Sequence, residues 1–213
     1  MVKVLSTLAL KGVLERLRPA NAELHFDATQ AWLPRLRAGE QADLVILTDE
    51  AIDALQAEGL VSEKIPLGRS GVGVAVKAGA RKPDISDVDH FRNSLQAASS
   101  VAHSKVGASG LYFAELIQRL GMELRQRVIV EKGPVGLAVA RGEAEIGIQQ
   151  ICELLPVPGI DLVGPLPAEI QQVTAFSAGV HARAVDPGGA RRLLDALLSP
   201  QGRAAMKAGG IDA

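Results

Sequence analysis

The chain has 213 residues, 47% of them hydrophobic, which suffices for one large domain or two modest lobes with a real core. Its 23 basic and 24 acidic residues leave a net charge of -1, so the sequence excludes nucleic acid and anionic membrane surfaces as partners. Aromatics at 3% are too few for stacking platforms, and the single cysteine, Cys152, allows no intrachain disulfide and no Cys/His zinc cluster.

At the N-terminus, Lys3, the apolar run Val4 to Leu10 and Ala20-Asn21-Ala22 imitate a signal peptide. Lys11, Glu15 and Arg16 interrupt the run, so Val2 to Leu5 reads as a first strand and the segment to Leu17 as a helix. No segment reaches the roughly 20 apolar residues of a membrane span. The expectation is a soluble chain with no membrane insertion, cytoplasmic as it stands, or periplasmic if a leader has been removed.

A second unit runs from Leu24 to Leu36, its helix beginning near Gln30 with Pro34 in the first turn and Gly39 past the end. A third has the strand Asp43 to Leu47, Thr48 as N-cap, Asp49 and Glu50 complementing the helix dipole, and Gly59 as the stop. Gly71 to Lys77 reads as a strand approached closely by other backbone, and as a candidate hinge. A second lobe begins near the charged stretch Arg81 to Asp89. Its predicted elements are a strand at Ser100 to His103, a helix at Leu111 to Leu120, a strand at Arg127 to Glu131, a helix at Pro134 to Arg141 and a strand at Ala144 to Ile148. The Pro- and Gly-punctuated segment after Leu155 reads as an irregular return. Thr174 to Val180 reads as a strand rejoining the first lobe, closed by helices at Ala190 to Leu198 and Pro200 to Ala208. The expected lobes are residues 1–72 with 174–213, and 73–173. Alternating strands and helices imply a parallel or mixed sheet.

Several strand-to-helix junctions carry small hydroxyl residues, a pattern that aims N–H groups and hydroxyls at one point and suits capture of a small anion. Ser6 and Thr7 follow the first strand; Thr29 and Gln30 stand before the second helix. In the second lobe Ser104 to Gly110 ends a strand and opens a helix, with Ser109 expected as N-cap and Gly110 at the first helical position. Arg69 precedes the Gly71 strand, and its guanidinium fork suits a carboxylate or oxyanion. Gln149 ends the strand Ile146 to Ile148 and is the favoured amide there. Ser6, Thr7, Thr29, Arg69, Ser104, Ser109, Gly110 and Gln149 form the expected ligand site. The residues call for no metal and no cofactor. His103 and Glu153 are the two candidates for a base, should the chain act on its ligand.

Ala38-Gly39-Glu40-Gln41-Ala42-Asp43-Leu44-Val45-Ile46-Leu47, Gly107-Ala108-Ser109-Gly110-Leu111-Tyr112-Phe113-Ala114 and Val139-Ala140-Arg141-Gly142-Glu143-Ala144-Glu145-Ile146-Gly147-Ile148 resemble segments of the molybdate-binding-protein family, on the type II periplasmic-binding-protein fold. The resemblance covers nearly the whole chain. It implies an α/β fold of two lobes, mixed sheets flanked by helices, closing on an oxyanion. It also implies a solute-binding protein that works with an ABC transporter permease. In that family a first-loop serine corresponds to Ser6, a second-loop serine to Thr29 and a helix-start contact to Ser109 and Gly110. Molybdate binders place a tyrosine after the strand where this chain has Gln149-Gln150, and Arg69 with these amides suits a larger organic carboxylate. Some members of the extended family resemble isomerases of small tricarboxylates such as aconitate, which is the alternative function expected here.

Overall fold

The strand-then-helix punctuation of the sequence is realised in the computed structural model, which describes residues 1–17 and 19–212. The chain divides into two units, Met1–Ser70 with Thr174–Ala213, and Gly71–Val173.

In the first unit, β1 (Val2–Thr7) lies between β2 (Ala22–Asp27) and β3 (Leu44–Thr48), parallel to both. β3 pairs antiparallel with β9 (Val173–Val180). A 3₁₀ turn (Leu8–Leu10) and α1 (Lys11–Leu17) follow β1, α2 (Thr29–Arg37) follows β2, and α3 (Asp49–Ala57) follows β3. Three helical starts therefore gather at the carboxyl ends of three adjacent parallel strands, where open α/β sheets collect ligands. The core between sheet and helices is Leu5, Trp32, Leu36, Val45, Leu47, Ile52 and Leu55. Trp32 is nearly fully buried, and its indole Nε1 donates to Ser6 O at 2.9 Å, tying α2 to the end of β1. Pro34 falls inside α2 rather than in its first turn. That costs the helix one N–H donor, at a place where neighbouring Trp32 and Leu36 are held by the core. α8 (Pro187–Leu198) and α9 (Pro200–Ala208) close this unit.

Asp43 is buried just before β3 and accepts three backbone N–H groups, from Lys3 at 2.8 Å, Val185 at 2.7 Å and Asp186 at 2.8 Å. It thereby joins the start of β1 to the segment that leads into α8. Burial raises its carboxyl, but these N–H bonds outweigh burial and hold it below the usual range.

β4 (Ile65–Lys77) is longer than the Gly71 to Lys77 strand expected, so Arg69 and Ser70 lie within it instead of preceding it. Arg69 is exposed and its backbone exchanges two hydrogen bonds of 2.8 Å with Asp212. In the second unit, β4 from Val72 on pairs antiparallel with β7 (Ile146–Gln150) on one side and β8 (Ile160–Pro165) on the other. β5 (Val101–Ser104) is parallel to β7 and to β6 (Arg127–Val130). β8 corrects the expectation of an irregular return after Leu155. One face of this sheet buries Val72, Val74 and Ile148 with Phe91 and Leu95 of α4 (Val88–Ala97) and Phe113 and Leu116 of α5 (Ala108–Arg119). The other packs Ala102 against Val135 and Val139 of α6 (Val135–Ala140). Gly147 faces that helix, and a Cβ there would lie 2.7 Å from Val139 Cγ2. A four-residue helix, α7 (Ile151–Leu154), follows β7 directly.

Candidate functional site

In the first unit the expected residues Ser6, Thr7 and Thr29 come together. The register pairs Ser6 with Phe26 and Thr7 with Asp27, so the ends of β1 and β2 are level and their following turns are adjacent. Thr29 stands one residue inside α2, whose N-cap is Ala28. Sequence rules placed it before the helix because a threonine hydroxyl normally caps its own turn; here Asp27 Oδ1 accepts from Ala28 N at 2.8 Å. The Ala31 and Trp32 N–H groups bond to Ala28 O, so the open donors of the turn are those of Thr29 and Gln30. Thr29 Oγ1 is buried and has no hydrogen-bond partner among the described residues. Ser6 is fully buried, its hydroxyl donating to Thr7 O at 3.0 Å. Thr7 caps the 3₁₀ turn by position without a side-chain bond, as Thr48 does for α3. Asp49 beside Thr48 is bonded by Lys64 at 2.7 Å and by Ser177, which hold its carboxyl below the usual range.

The second unit brings together Ser104, Ser109, Gly110 and Gln149 at the carboxyl ends of β5 and β7. His103 pairs with Ile148, and the next residues along, Ser104 and Gln149, stand side by side. The N-cap of α5 is Gly107, not Ser109, which puts Ser109 and Gly110 in the first turn. Ser104 Oγ accepts from Gly107 N at 3.0 Å, and the Gly110 and Leu111 N–H groups bond to Gly107 O. The Ser104 hydroxyl, three residues back, thus tightens the loop, and among the described residues the Ala108 and Ser109 N–H groups are the open donors. Gly110 is obligatory, because a Cβ there would sit 1.9 Å from Ser104 O.

Gln149 has both ends of its amide engaged. Its Oε1 accepts from Val135 N at 2.7 Å, and its Nε2 donates to Glu153 Oε2. Because Val135 N–H can only donate, the amide orientation is fixed. Glu153, half-buried in α7, has its carboxyl raised to about 7 by burial, against the opposing pull of Gln149. His103, the other candidate base, is locked. Its Nδ1 lies 3.0 Å from Ser104 O, an acceptor, and its Nε2 lies 3.0 Å from Arg127 Nη2, a donor. The ring is therefore neutral with the proton on Nδ1 and no lone pair to spare. Burial lowers its pKa, Ser104 O opposes this, and Arg127 lowers it further. Sequence reasoning missed this lock because Arg127 lies on a neighbouring strand 24 residues away.

Comparison with known proteins gives these arrangements a context. The chain is 39% identical over 191 residues to a protein named aconitate isomerase from a Pseudomonas species, spanning 87% of this chain and 72% of that protein. Among solved structures it superposes on the periplasmic molybdate-binding protein of Azotobacter vinelandii with a TM-score of 0.79 at 17% identity, covering 99% of this chain and 98% of that one. For the sulfate-binding protein of Mycobacterium tuberculosis the TM-score is 0.71 at 16% identity, covering 99% and 85%. At such identities the likeness concerns the fold, the type II periplasmic-binding-protein fold expected from the sequence. The profile described as bacterial extracellular solute-binding protein matches residues 10–212. With nearly its whole length matched, the chain belongs to the bacterial extracellular solute-binding protein family.

Proposed function

We propose that this chain binds a small organic polycarboxylate and interconvert its isomers, aconitate being the first candidate. The observation that carries the reading is the 39% identity, across most of both chains, to a protein named aconitate isomerase. The geometry supports it in two ways. Neutral hydroxyls and open N–H groups stand at the strand ends of each unit, the donors that hold carboxylate oxygens and that also stabilise an enolate-like charge as it develops. The Glu153 carboxyl, raised to about 7 by burial, stands in α7 just past the end of β7. Arg69 supplies a guanidinium for one carboxylate in this proposal. Moving the double bond of an unsaturated tricarboxylate requires removing a proton from the carbon α to a carboxylate and returning one at the far end of the allylic unit, with no oxidant and no water consumed.

The test is to incubate the purified chain with trans-aconitate and follow the cis isomer by proton NMR, beside a thermal-shift panel of aconitate, citrate, molybdate, tungstate and sulfate. A ligand at about 100 times its Kd stabilises by about 2.7 kcal/mol, which a melt resolves. Catalysed interconversion supports the reading. A second reading, solute capture for an ABC permease, is favoured by the fold shared with molybdate- and sulfate-binding proteins. Stabilisation by molybdate and tungstate with no turnover of aconitate would select it.

A further inference from the structure

We propose that Glu153 is the catalytic residue that removes and returns the proton during polycarboxylate isomerisation, and that Gln149 is its positioning residue. This rests on the isomerase reading above. The argument begins with placement. α7 follows β7 without a loop, so Glu153 is carried three residues past the strand end that stands beside Ser104. Gly147 and Gln149 share the face that meets α6, and the Val135 N–H at the start of that helix fixes the Gln149 amide. The fixed amide can present only its NH₂ to Glu153, which holds one carboxylate oxygen in place. Among the described residues the other oxygen has no hydrogen-bond partner and no cation pairs with the group.

The surroundings set the chemistry. α7 packs against β7, β8 and α6. β7 and α6 contain no charged residue, and β8 contains only Asp161, whose Oδ2 accepts from Gly79 N at 2.8 Å. β4 presents Gly73 towards Ile151 of the same helix. A carboxylate with one neutral donor and no counter-charge is easily protonated. Its carboxyl, raised by burial to about 7, populates both forms near neutrality, as a group that must take and give back one proton requires. The step balances. The carboxylate breaks a C–H bond α to a substrate carboxylate and becomes the acid, the electron pair enters the allylic system, and the acid forms a C–H bond at its far carbon and returns to carboxylate. His103 cannot share this work, because Arg127 occupies its lone pair.

The experiment measures trans-aconitate turnover and aconitate-induced thermal shift for wild type, Glu153→Gln, Glu153→Asp and Gln149→Met, with kcat/KM profiled from pH 5 to 9. Glu153→Gln is expected to lose at least 100-fold in kcat while keeping the aconitate shift, and Glu153→Asp to keep part of the activity. Gln149→Met removes the bond that holds the Glu153 carboxyl down, so the acid limb of its profile is expected to move to higher pH. A purely structural role for Gln149 would leave that limb in place. Turnover by Glu153→Gln within about 3-fold of wild type, or an acid limb unmoved in Gln149→Met, overturns the assignment and leaves the isomerase reading standing. Failure of the wild type to turn over aconitate fells both, and so the two failures are told apart.

Discussion

In the first unit, the hydroxyls at the ends of β1 and β2 are neutral, Asp27 is turned back onto Ala28 N, and Thr29 Oγ1 is buried with no hydrogen-bond partner among the described residues. In the second unit, the side chains at the ends of β5 and β7 are engaged: Ser104 accepts from Gly107 N, and Gln149 accepts from Val135 N and donates to Glu153, so that the open donors there are backbone N–H groups. The first arrangement is suited to accept or donate to something from outside. The second is suited to keep an ionisable group in one place. Each unit also has one informative carboxylate, and the two behave oppositely. Asp43, with three backbone N–H donors, is held below its usual range, whereas Glu153, with one neutral amide, is pushed above it. Donor number, not burial alone, separates a carboxylate that supports a fold from one that is free to titrate.

The largest expected effect breaks the second arrangement at its tightest contact. Gly110→Ala places a methyl 1.9 Å from Ser104 O and 2.7 Å from Ser104 C. These are backbone atoms of a strand, so α5 must shift away from β5. A cost of about 3 kcal/mol is expected, read as a fall in Tm, with hydrogen exchange of the β5 and α5 amides rising before those of β1 and β3. Uniform exchange across both units would show that the strain is not confined to this junction.

The paired carboxylates sharpen the comparison through pH. Glu153 has a folded pKa above its unfolded value near 4.5, so its ionisation weakens the fold as pH rises from about 4.5 to about 7. Glu153→Gln is therefore expected to be more stable than wild type above pH 7, by on the order of 3 kcal/mol at 1.36 kcal/mol per unit, with no gain below pH 4.5. Asp43 has the opposite sign. Its contribution is present above the unfolded value near 3.8 and is lost as pH falls through the lower folded value. Asp43→Asn would set an amide NH₂ against Lys3 N–H, or against those of Val185 and Asp186, and is expected to cost about 2 kcal/mol at pH 7 and less at pH 3. Denaturant melts at four pH values check both signs.

Much of this organisation was legible in the sequence because each strand and helix has its own punctuation, as with Asp43 to Leu47, Thr48 and Gly59. Helix starts were misplaced by one to two residues at Thr29 and Ser109 for a single physical reason. The rule assumes that a hydroxyl near a helix start serves that helix, and here the caps are Ala28 and Gly107. β8 was hidden because Pro158, Gly159, Gly164 and Pro165 read as breakers, yet an edge strand tolerates proline where no ladder donor is needed. Pro66 and Gly68 concealed the start of β4 in the same way. In the site, Glu153 could be nominated as the acid nearest the end of β7. The locking of Gln149 could not, since it depends on Val135 N–H 14 residues earlier. Nor was the hub at Asp43 foreseeable, because its donors come from residues 3, 185 and 186.

The smallest effect on stability tests the open side of the comparison. Thr29→Val keeps the volume of the side chain and deletes a hydroxyl that is buried without a partner. Removing an unsatisfied buried polar atom normally stabilises, so the variant is expected to gain up to about 1 kcal/mol in the absence of ligand. If the hydroxyl is there for an anion, the same variant must bind aconitate more weakly, and its aconitate-induced thermal shift must shrink. The two changes have opposite signs, which no purely structural role for Thr29 produces. A variant that is both less stable and unchanged in its ligand response would place the Thr29 hydroxyl in the fold of the first unit and leave Ser6, Thr7 and the open N–H groups of α2 to hold the ligand.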